Sequence, residues 1–406
     1  MSMRYKGGII SSTPPVITAP VGGEGGAVSG IWSLSTVLEE ESNRNWPKPA
    51  LLTEAWSWGR NTNGQLGDLS TTVRSSPVQA GSATDWKQIT GGVDHTIGVK
   101  KDGTLWAWGS NNQGRLGLGD TVNRSSPVQI GALTTWDNAR ASQEASHGIK
   151  TDGTLWAWGL SSNGQLGDGT TTLKSSPIQI GALTTWLSIS AGYNSVTAVK
   201  TDGTLWGWGD NGNGQIGDGT AVAKSSPVQI GALTDWSATY MGFYHNSMIK
   251  TDGTLWAVGN GGNGQLGDGT TVSKSSPIQV GALTTWATSS GGFFHVGAVK
   301  TDGTLWMMGD NGYGQLGDGT TVNKSSLVQI GSLTSWVNVG GGQRHSSMLS
   351  TDGTMWTCGK GASGVLGQGA DLANKSSPVQ VGSLTTWNKT WSSADAPRTL
   401  AGKKPS

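Results

Sequence analysis

A single cysteine, Cys358, stands in 406 residues, so no disulfide can form within the chain. Cys358 falls where other copies of a repeat described below carry tryptophan, so it is read as a small core residue. Charged residues make up only 13% of the sequence and leave a net charge of +1. No whole-molecule field therefore draws the chain to nucleic acid or to an anionic membrane surface. No run reaches the roughly 18–20 consecutive apolar residues of a membrane span, which argues against membrane insertion. The opening stretch from Met1 to Ile10 has no apolar core followed by a small-residue cleavage site, so no secretory signal peptide is expected. Long helices are disfavoured by 66 glycines, each costing about 1 kcal/mol relative to alanine inside a helix. What remains is an all-β composition with many tight turns.

Tryptophan is the aromatic residue present in quantity, with 21 copies against 3 phenylalanines and 5 tyrosines. The copies are periodic. Trp56/Trp58, Trp106/Trp108, Trp156/Trp158 and Trp206/Trp208 recur every fifty residues, and Trp256, Trp306 and Trp356 continue the series. A second series runs Trp86, Trp136, Trp186, Trp236, Trp286, Trp336 and Trp387. Self-similarity at this period marks a repeat architecture.

One unit illustrates the local reading. Thr151-Asp152-Gly153-Thr154 places Asp-Gly between two strand-like runs, the composition of a type I′ hairpin. In Leu155-Trp156-Ala157-Trp158 both faces of the strand are apolar, so it is expected to be buried on both sides, as in sheets stacked face to face. A glycine-rich loop, Asn163-Gly164-Gln165-Leu166-Gly167, follows with one apolar anchor. Pro177 is read as opening a short strand at an edge, and Trp186 as opening the next strand. Four short strands per unit describe a propeller blade. The chain enters this pattern at Glu54-Ala55-Trp56, halfway through a unit, and leaves it near Arg398-Thr399-Leu400-Ala401, in the complementary half. Strands from the two ends can thus share one blade and remove the open edge. The expected fold is a seven-bladed β-propeller over residues 55–401, with a segment at 1–54 and a short tail at 402–406.

The pattern resembles the regulator of chromosome condensation repeat family. The residues that carry the resemblance are Gly92-Val93-Asp94-His95-Thr96, Asp102-Gly103-Thr104-Leu105-Trp106 and Asn263-Gly264-Gln265-Leu266-Gly267, each recurring around the chain. The resemblance implies a propeller. For function it implies only a range of protein-binding roles, since nucleotide exchange factors, ubiquitin ligase components and a bacterial β-lactamase inhibitor share the fold. The N-terminal segment offers a second resemblance: Gly30-Ile31-Trp32-Ser33-Leu34 followed by Asn45-Trp46-Pro47 is similar to a motif near the start of many phage tail and virion proteins. Residues 7–30 read as an extended strip, and Ile31, Leu34, Val37 and Leu38 are spaced for a short helix.

Candidate sites must be separated from the repeat background, because a residue copied in every blade serves architecture first. His95, His245, His295 and His345 share one repeat position and His147 is offset by two; each is read as a structural histidine bonded within its own blade, not a metal ligand. The Gly-Asp-Gly-Thr loops at Asp168, Asp218, Asp268 and Asp318 are explained by turn chemistry, so no calcium is expected. Arg74, Arg124, Lys174, Lys224, Lys274, Lys324 and Lys375 form a basic ring by symmetry, which neighbouring aspartates are expected to offset. No nucleophile, base and orienting acid stand apart from the repeat, so neither a catalytic set nor a cofactor is expected. The divergence that stands out is aromatic. Tyr193, Phe243, Tyr244, Phe293 and Phe294 occupy the two positions before the blade histidine, where other blades carry Val93 and Asp94, or Gln343 and Arg344. These five, with Arg344, are the candidate binding residues.

The function expected from the sequence is that of a non-enzymatic virion protein, displaying the propeller from a tail or capsid for adhesion to a host-surface glycan or protein. Its attachment to other virion proteins would run through Ile31, Trp32, Leu34 and Trp46. The competing expectation is a free protein-binding propeller, an inhibitor or exchange-factor-like module.

Overall fold

The computed structural model describes residues 53–391 and 396–405. The expectations for the extended strip, the short helix and the attachment residues Ile31, Trp32, Leu34 and Trp46 lie outside the described residues. The residues from Thr53 onward form one compact unit.

Within that unit 28 strands assemble into seven four-stranded antiparallel sheets. The first complete blade contains Trp86–Gly91, His95–Lys100, Leu105–Gly109 and Arg124–Gln129, paired in that order. Five further blades repeat it, starting at Trp136, Trp186, Trp236, Trp286 and Trp336. The seventh is shared between the chain ends: Trp387–Trp391 and Arg398–Lys403 from the C-terminal side continue into Glu54–Gly59 and Arg74–Gln79. Glu54 pairs with Lys403 in register, and their side chains form an ion pair at 3.0 Å, nearly buried on both sides. The seven-bladed ring with a common closing blade is as the sequence pattern predicts.

The first strand of each blade is innermost and lines a central cavity of about 140 Å³, whose walls include Gln88, Arg140, Tyr240, Ser289, Asn338 and Thr390. Because strands alternate in direction, the turns after the inner strands and the long loops after the third strands share one face of the disc. The Asp-Gly hairpins and the links between blades share the other.

Blade-to-blade packing follows from the third strand. Leu105 and Ala107 are fully buried on one face and Trp108 on the other. Trp158 reaches the preceding blade's loop, its indole N–H donating to the Arg115 carbonyl at 3.0 Å, and Trp208 does the same to Gln165. A Cβ on Gly117 would lie 2.7 Å from Nε1 of Trp158, and its φ is +73°, so only glycine lets the loop pass the indole. The inner-strand tryptophan completes the contact, with Trp86 and Trp108 ring centroids 5.5 Å apart. Such aromatic pairs add about 0.5–1.5 kcal/mol beyond the area they bury. Cys358 takes one of these indole positions, fully buried, and burial pushes its thiol pKa up.

Three local expectations are corrected. The Asp-Gly hairpin is not type I′, because among the described residues only Leu69 and Ser363 are non-glycines with positive φ. Gly103 alone turns left-handed, its N–H bonding the Lys100 carbonyl while the Lys100 N–H bonds that of Thr104. This is a type I turn closed by a glycine bulge. The Asp102 carboxylate braces it by accepting from the N–H and hydroxyl of Thr104, which in turn accepts from Trp106 Nε1. Pro177 does not open its strand; Lys174–Gln179 begins three residues earlier, and the proline falls in the register shift between Lys174 and Ile178. His95, His295 and His345 bond to the following blade and not within their own, as set out next.

Candidate functional site

The loop face takes its form from the turn between the first two strands. In the fourth blade the Gly242 N–H donates to the His245 carbonyl at 2.8 Å, and a Cβ on Gly242 would meet the imidazole at 2.2 Å. The glycine therefore fixes a turn that holds Phe243 and Tyr244 at the mouth of the ring. Neighbouring turns are tied together: Gln143 N–H donates to Tyr193 O, Tyr193 N–H to Phe243 O, Phe243 N–H to Gly292 O and Phe293 N–H to Gly342 O, at 3.1–3.3 Å.

This belt brings the predicted aromatic residues of three successive blades into one stack. Phe243 lies at the centre, with ring centroids 4.1 Å from Tyr193, 4.3 Å from Tyr244 and 3.8 Å from Phe293, the last stacked. Phe294 stands edge-on to Phe293 at 4.5 Å. Phe243 is 7% exposed and the other four rings are half-buried, so they present a continuous apolar surface. Arg344 belongs to the next blade and engages Tyr313, donating to its hydroxyl at 2.6 Å with the guanidinium 4.9 Å from the ring centre. Lys360 lies 5.2 Å over the same ring. Sequence reasoning missed Tyr313, although it replaces the asparagine found at Asn163, Asn213 and Asn263. On the other side of the aromatic residues the turns of the first two blades are polar: Asp94 pairs with Arg60 at 3.5 Å and Glu144 with Arg115 at 3.3 Å. The face thus carries an aromatic sector flanked by a cationic sector on one side and an ion-paired sector on the other.

The histidines lie beneath this surface, and three of them hold blades together. Nε2 of His95 is 2.9 Å from the Ser146 hydroxyl of the following blade, His295 is 3.0 Å from Ser346, and His345 is 2.9 Å from Thr399. For these three the expectation of bonds within one blade is corrected to bonds between blades, whereas Nε2 of His147 lies 2.9 Å from the Gln165 carbonyl of its own blade, as expected. Burial holds all five imidazoles well below the ordinary histidine range: His147, His245 and His345 to about 4 and His295 to about 3. Ser146 with His95 has the spacing of an activated nucleophile, but both are fully buried and the arrangement recurs at Ser346 with His295, which marks it as architecture.

Each member of the basic ring is ion-paired within its own loop, from Arg124–Asp120 at 2.6 Å to Lys174–Asp168 at 3.5 Å. The Asp218 carboxylate is taken up by the Thr220 N–H and hydroxyl, the Asn211 amide and Lys224. Among the described residues no group of three or more His, Cys, Asp or Glu is placed to hold a metal ion, and no helix is long and apolar enough to cross a membrane.

Comparison with solved structures gives the same architecture. The chain is similar to yeast RCC1 (Prp20), solved with Kap60 bound, at 16% identity over 88% of this chain and 90% of that one, TM-score 0.77. It is similar to Prp20p from Saccharomyces cerevisiae, characterised for binding to Gsp1p and histones, at 18% identity over 88% and 93%, TM-score 0.77. Human WBSCR16 matches at 16% identity over 87% and 99%, TM-score 0.77. No curated protein sequence matches the chain. The profile of the Regulator of chromosome condensation (RCC1) repeat matches residues 54–99, 102–143, 152–199, 202–247, 252–299 and 302–349, and a second profile of the same repeat matches 86–115 and 186–215. By these matches, which cover most of the propeller, the chain belongs to the regulator of chromosome condensation (RCC1) repeat family.

Proposed function

We propose that the protein is a non-catalytic binding propeller that engages a protein partner through its loop face. The observation that carries this reading is the stack of Tyr193, Phe243, Tyr244, Phe293 and Phe294 on three successive blades. A contiguous aromatic surface on an otherwise polar rim is what a protein interface buries at its centre. The neighbouring Arg344 and Lys360 suit a partner whose apolar anchor is bordered by carboxylates. The similar yeast propellers are described with Kap60, Gsp1p and histones, which are proteins, and this supports the class of partner without naming it. The test is capture from a host lysate with the full chain, then titration of the captured partner against Phe293→Ser and Phe294→Ser. Affinity should fall at least tenfold, while Leu133→Ser on the opposite face leaves it unchanged. Equal affinity in all three variants would end this reading.

A second reading concerns where the propeller is carried. The similarity of Gly30-Ile31-Trp32-Ser33-Leu34 and Asn45-Trp46-Pro47 to phage structural proteins supports attachment to a virion, with the propeller displayed to a host-surface protein or glycan. Deleting residues 1–52, which leaves the closing strand and the Glu54–Lys403 pair in place, should then give a folded propeller that no longer enters particles; normal incorporation would count against it.

A further inference from the structure

On the hairpin face, six blades end their second strand, or its counterpart in the closing blade, with lysine: Lys100, Lys150, Lys200, Lys250, Lys300 and Lys403. The sixth blade has Ser350 there. In the first five blades the lysine ammonium is held between two indoles, one from the inner strand and one from the third. Nζ of Lys150 is 3.5 Å from the ring centre of Trp156 and 5.1 Å from that of Trp136. Lys200 is 3.5 Å from Trp206 and 4.8 Å from Trp186, and Lys300 is 4.3 Å from Trp306 and 5.5 Å from Trp286. An ammonium over an indole face is attracted by the ring quadrupole, more strongly when water is excluded. Lys150, Lys200 and Lys250 are almost fully covered.

The sixth blade keeps this cage without the lysine. Trp336 and Trp356 have ring centroids 6.3 Å apart at 84°, the same figures as Trp286 and Trp306 around Lys300. Trp356 is braced as in the other blades, its N–H donating to Thr354 at 2.9 Å, and Thr354 donates to Asp352. Asp352 is the counterpart of the hairpin aspartates that sit beside the lysines elsewhere, so the local carboxylate is retained while its cation is not. Ser350 bonds Ser335 at 3.0 Å and fills little of the space that a four-carbon stem takes. Among the described residues no cation lies over either indole. Both indoles also line a cavity of about 370 Å³ with Ile330, Leu333 and Pro378, but an equivalent cavity of about 310 Å³ lies against Trp186 and Trp206 with Lys200 in place, so this space is separate from the lysine's position.

We propose that the Trp336–Trp356 cage binds a lysine side chain of a protein partner, which takes the place that a built-in lysine holds in the sister blades. Two indole walls supply the cation–π attraction, Asp352 supplies the charge, and the sister blades set the size, a straight four-carbon chain ending in an ammonium. The site is on the face opposite the aromatic stack, so its test is independent of that surface.

The experiment is an NMR titration of the full chain, following indole N–H resonances with Trp356 assigned by Trp356→Phe. The probes are a glycine-flanked lysine peptide, its Nε-acetylated form and n-butylammonium. The lysine peptide should shift Trp356 saturably, the acetylated peptide should not, and n-butylammonium should bind more weakly than the peptide. Ser350→Lys should abolish the response, because the variant's own ammonium fills the cage. Lys200→Ser should create a second responding site at Trp206, which keeps the proposal testable should Ser350→Lys fail to fold. No shift at Trp356, an equal shift with the acetylated peptide, or a response that survives in folded Ser350→Lys would overturn the site. Binding of n-butylammonium as tight as that of the peptide would overturn the assignment to a protein lysine.

Discussion

Arg398, in the last strand of the chain, donates a hydrogen bond from its guanidinium to the carbonyl of Val93 at 2.8 Å, joining the closing blade to the first turn of the next. The same guanidinium donates to the His95 carbonyl and to the Thr96 hydroxyl, and the side chain is fully buried. The ring is therefore locked twice at its seam, by the shared sheet and by this clasp. Arg398→Ala would strand buried carbonyls and leave a void. Hydrogen bonds from a charged donor are worth about 1.5–3 kcal/mol each, and their loss at a buried site is not offset by water. The expected destabilisation is about 3 kcal/mol, read from the urea midpoint at constant slope. A loss below about 1 kcal/mol would show that sheet pairing alone closes the ring.

Acid should loosen the propeller earlier than carboxylate chemistry alone would. The five histidines are held neutral by burial, with native pKa values of about 3–4 where resolved to a number, against 6.5 in the unfolded chain. The unfolded state thus takes up protons that the native state does not. Their contribution is fully present above pH 6.5 and is lost as pH falls from there towards 4. The slope is about 1.4 kcal/mol per pH unit for each histidine that titrates only on unfolding. The hairpin aspartates, lowered by their Thr hydrogen bonds, add to the loss only below about pH 3.8. Urea midpoints measured from pH 8 to pH 4.5 should therefore start to fall near pH 6.5. A flat profile down to pH 4.5 would contradict the buried neutral imidazoles.

The sequence disclosed the blades because every indole must meet the same kind of neighbour, so period and packing are one constraint. Trp58, Trp108 and Trp158 announce an interface wherever they occur. The histidine partners were not legible for the same reason. With near-identical repeats, Ser146 in the next blade and an equivalent residue in its own blade cannot be told apart in sequence, and only the ring geometry decides that His95 bonds across the interface. The Asp-Gly turn was misread because the two residues suit both a two-residue hairpin and a three-residue turn with a bulge. Registry across Lys100 and Thr104 selects the latter. The aromatic sector was visible as a break in the copying at Phe243 and Phe293; their stacking at 3.8 Å required the belt of backbone bonds that sets neighbouring turns side by side. Ser350 was in plain view, but it had no meaning until the sister lysines were seen between their indoles.

Within the aromatic sector, stability and binding should separate. Phe243 is 7% exposed and touches rings on both sides, so Phe243→Ala removes the centre of the stack. Its cost should be about 2–3 kcal/mol, at or below the low end for phenylalanine truncation in a core. Phe293 is half-buried at the surface, and Phe293→Ala should cost less than about 1 kcal/mol. Both variants should weaken partner binding at 25 °C, where both remain folded. Thermal unfolding and titration calorimetry on the two proteins check this. Equal losses of stability would mean that Phe293 belongs to the core and not to a recognition surface.

Arg140 projects into the central cavity without the acidic partner that Arg60, Arg74, Arg115 and Arg124 have. Its guanidinium donates to Asn138 Oδ1 at 3.1 Å and to the Ala139 carbonyl at 2.9 Å, and no carboxylate among the described residues forms an ion pair with it. Burial pushes its pKa down to about 10, the mark of a charge that its surroundings do not favour. Even a buried ion pair can often be replaced by apolar groups of similar volume without loss of stability, and Arg140, half-buried on the cavity wall, has no carboxylate to repay its desolvation. Arg140→Met should therefore raise the urea midpoint, by an amount corresponding to about 1 kcal/mol, with the fold unchanged by circular dichroism. A lower midpoint would mean that the two hydrogen bonds and the packing of the guanidinium stem outweigh the cost of holding the charge in the channel.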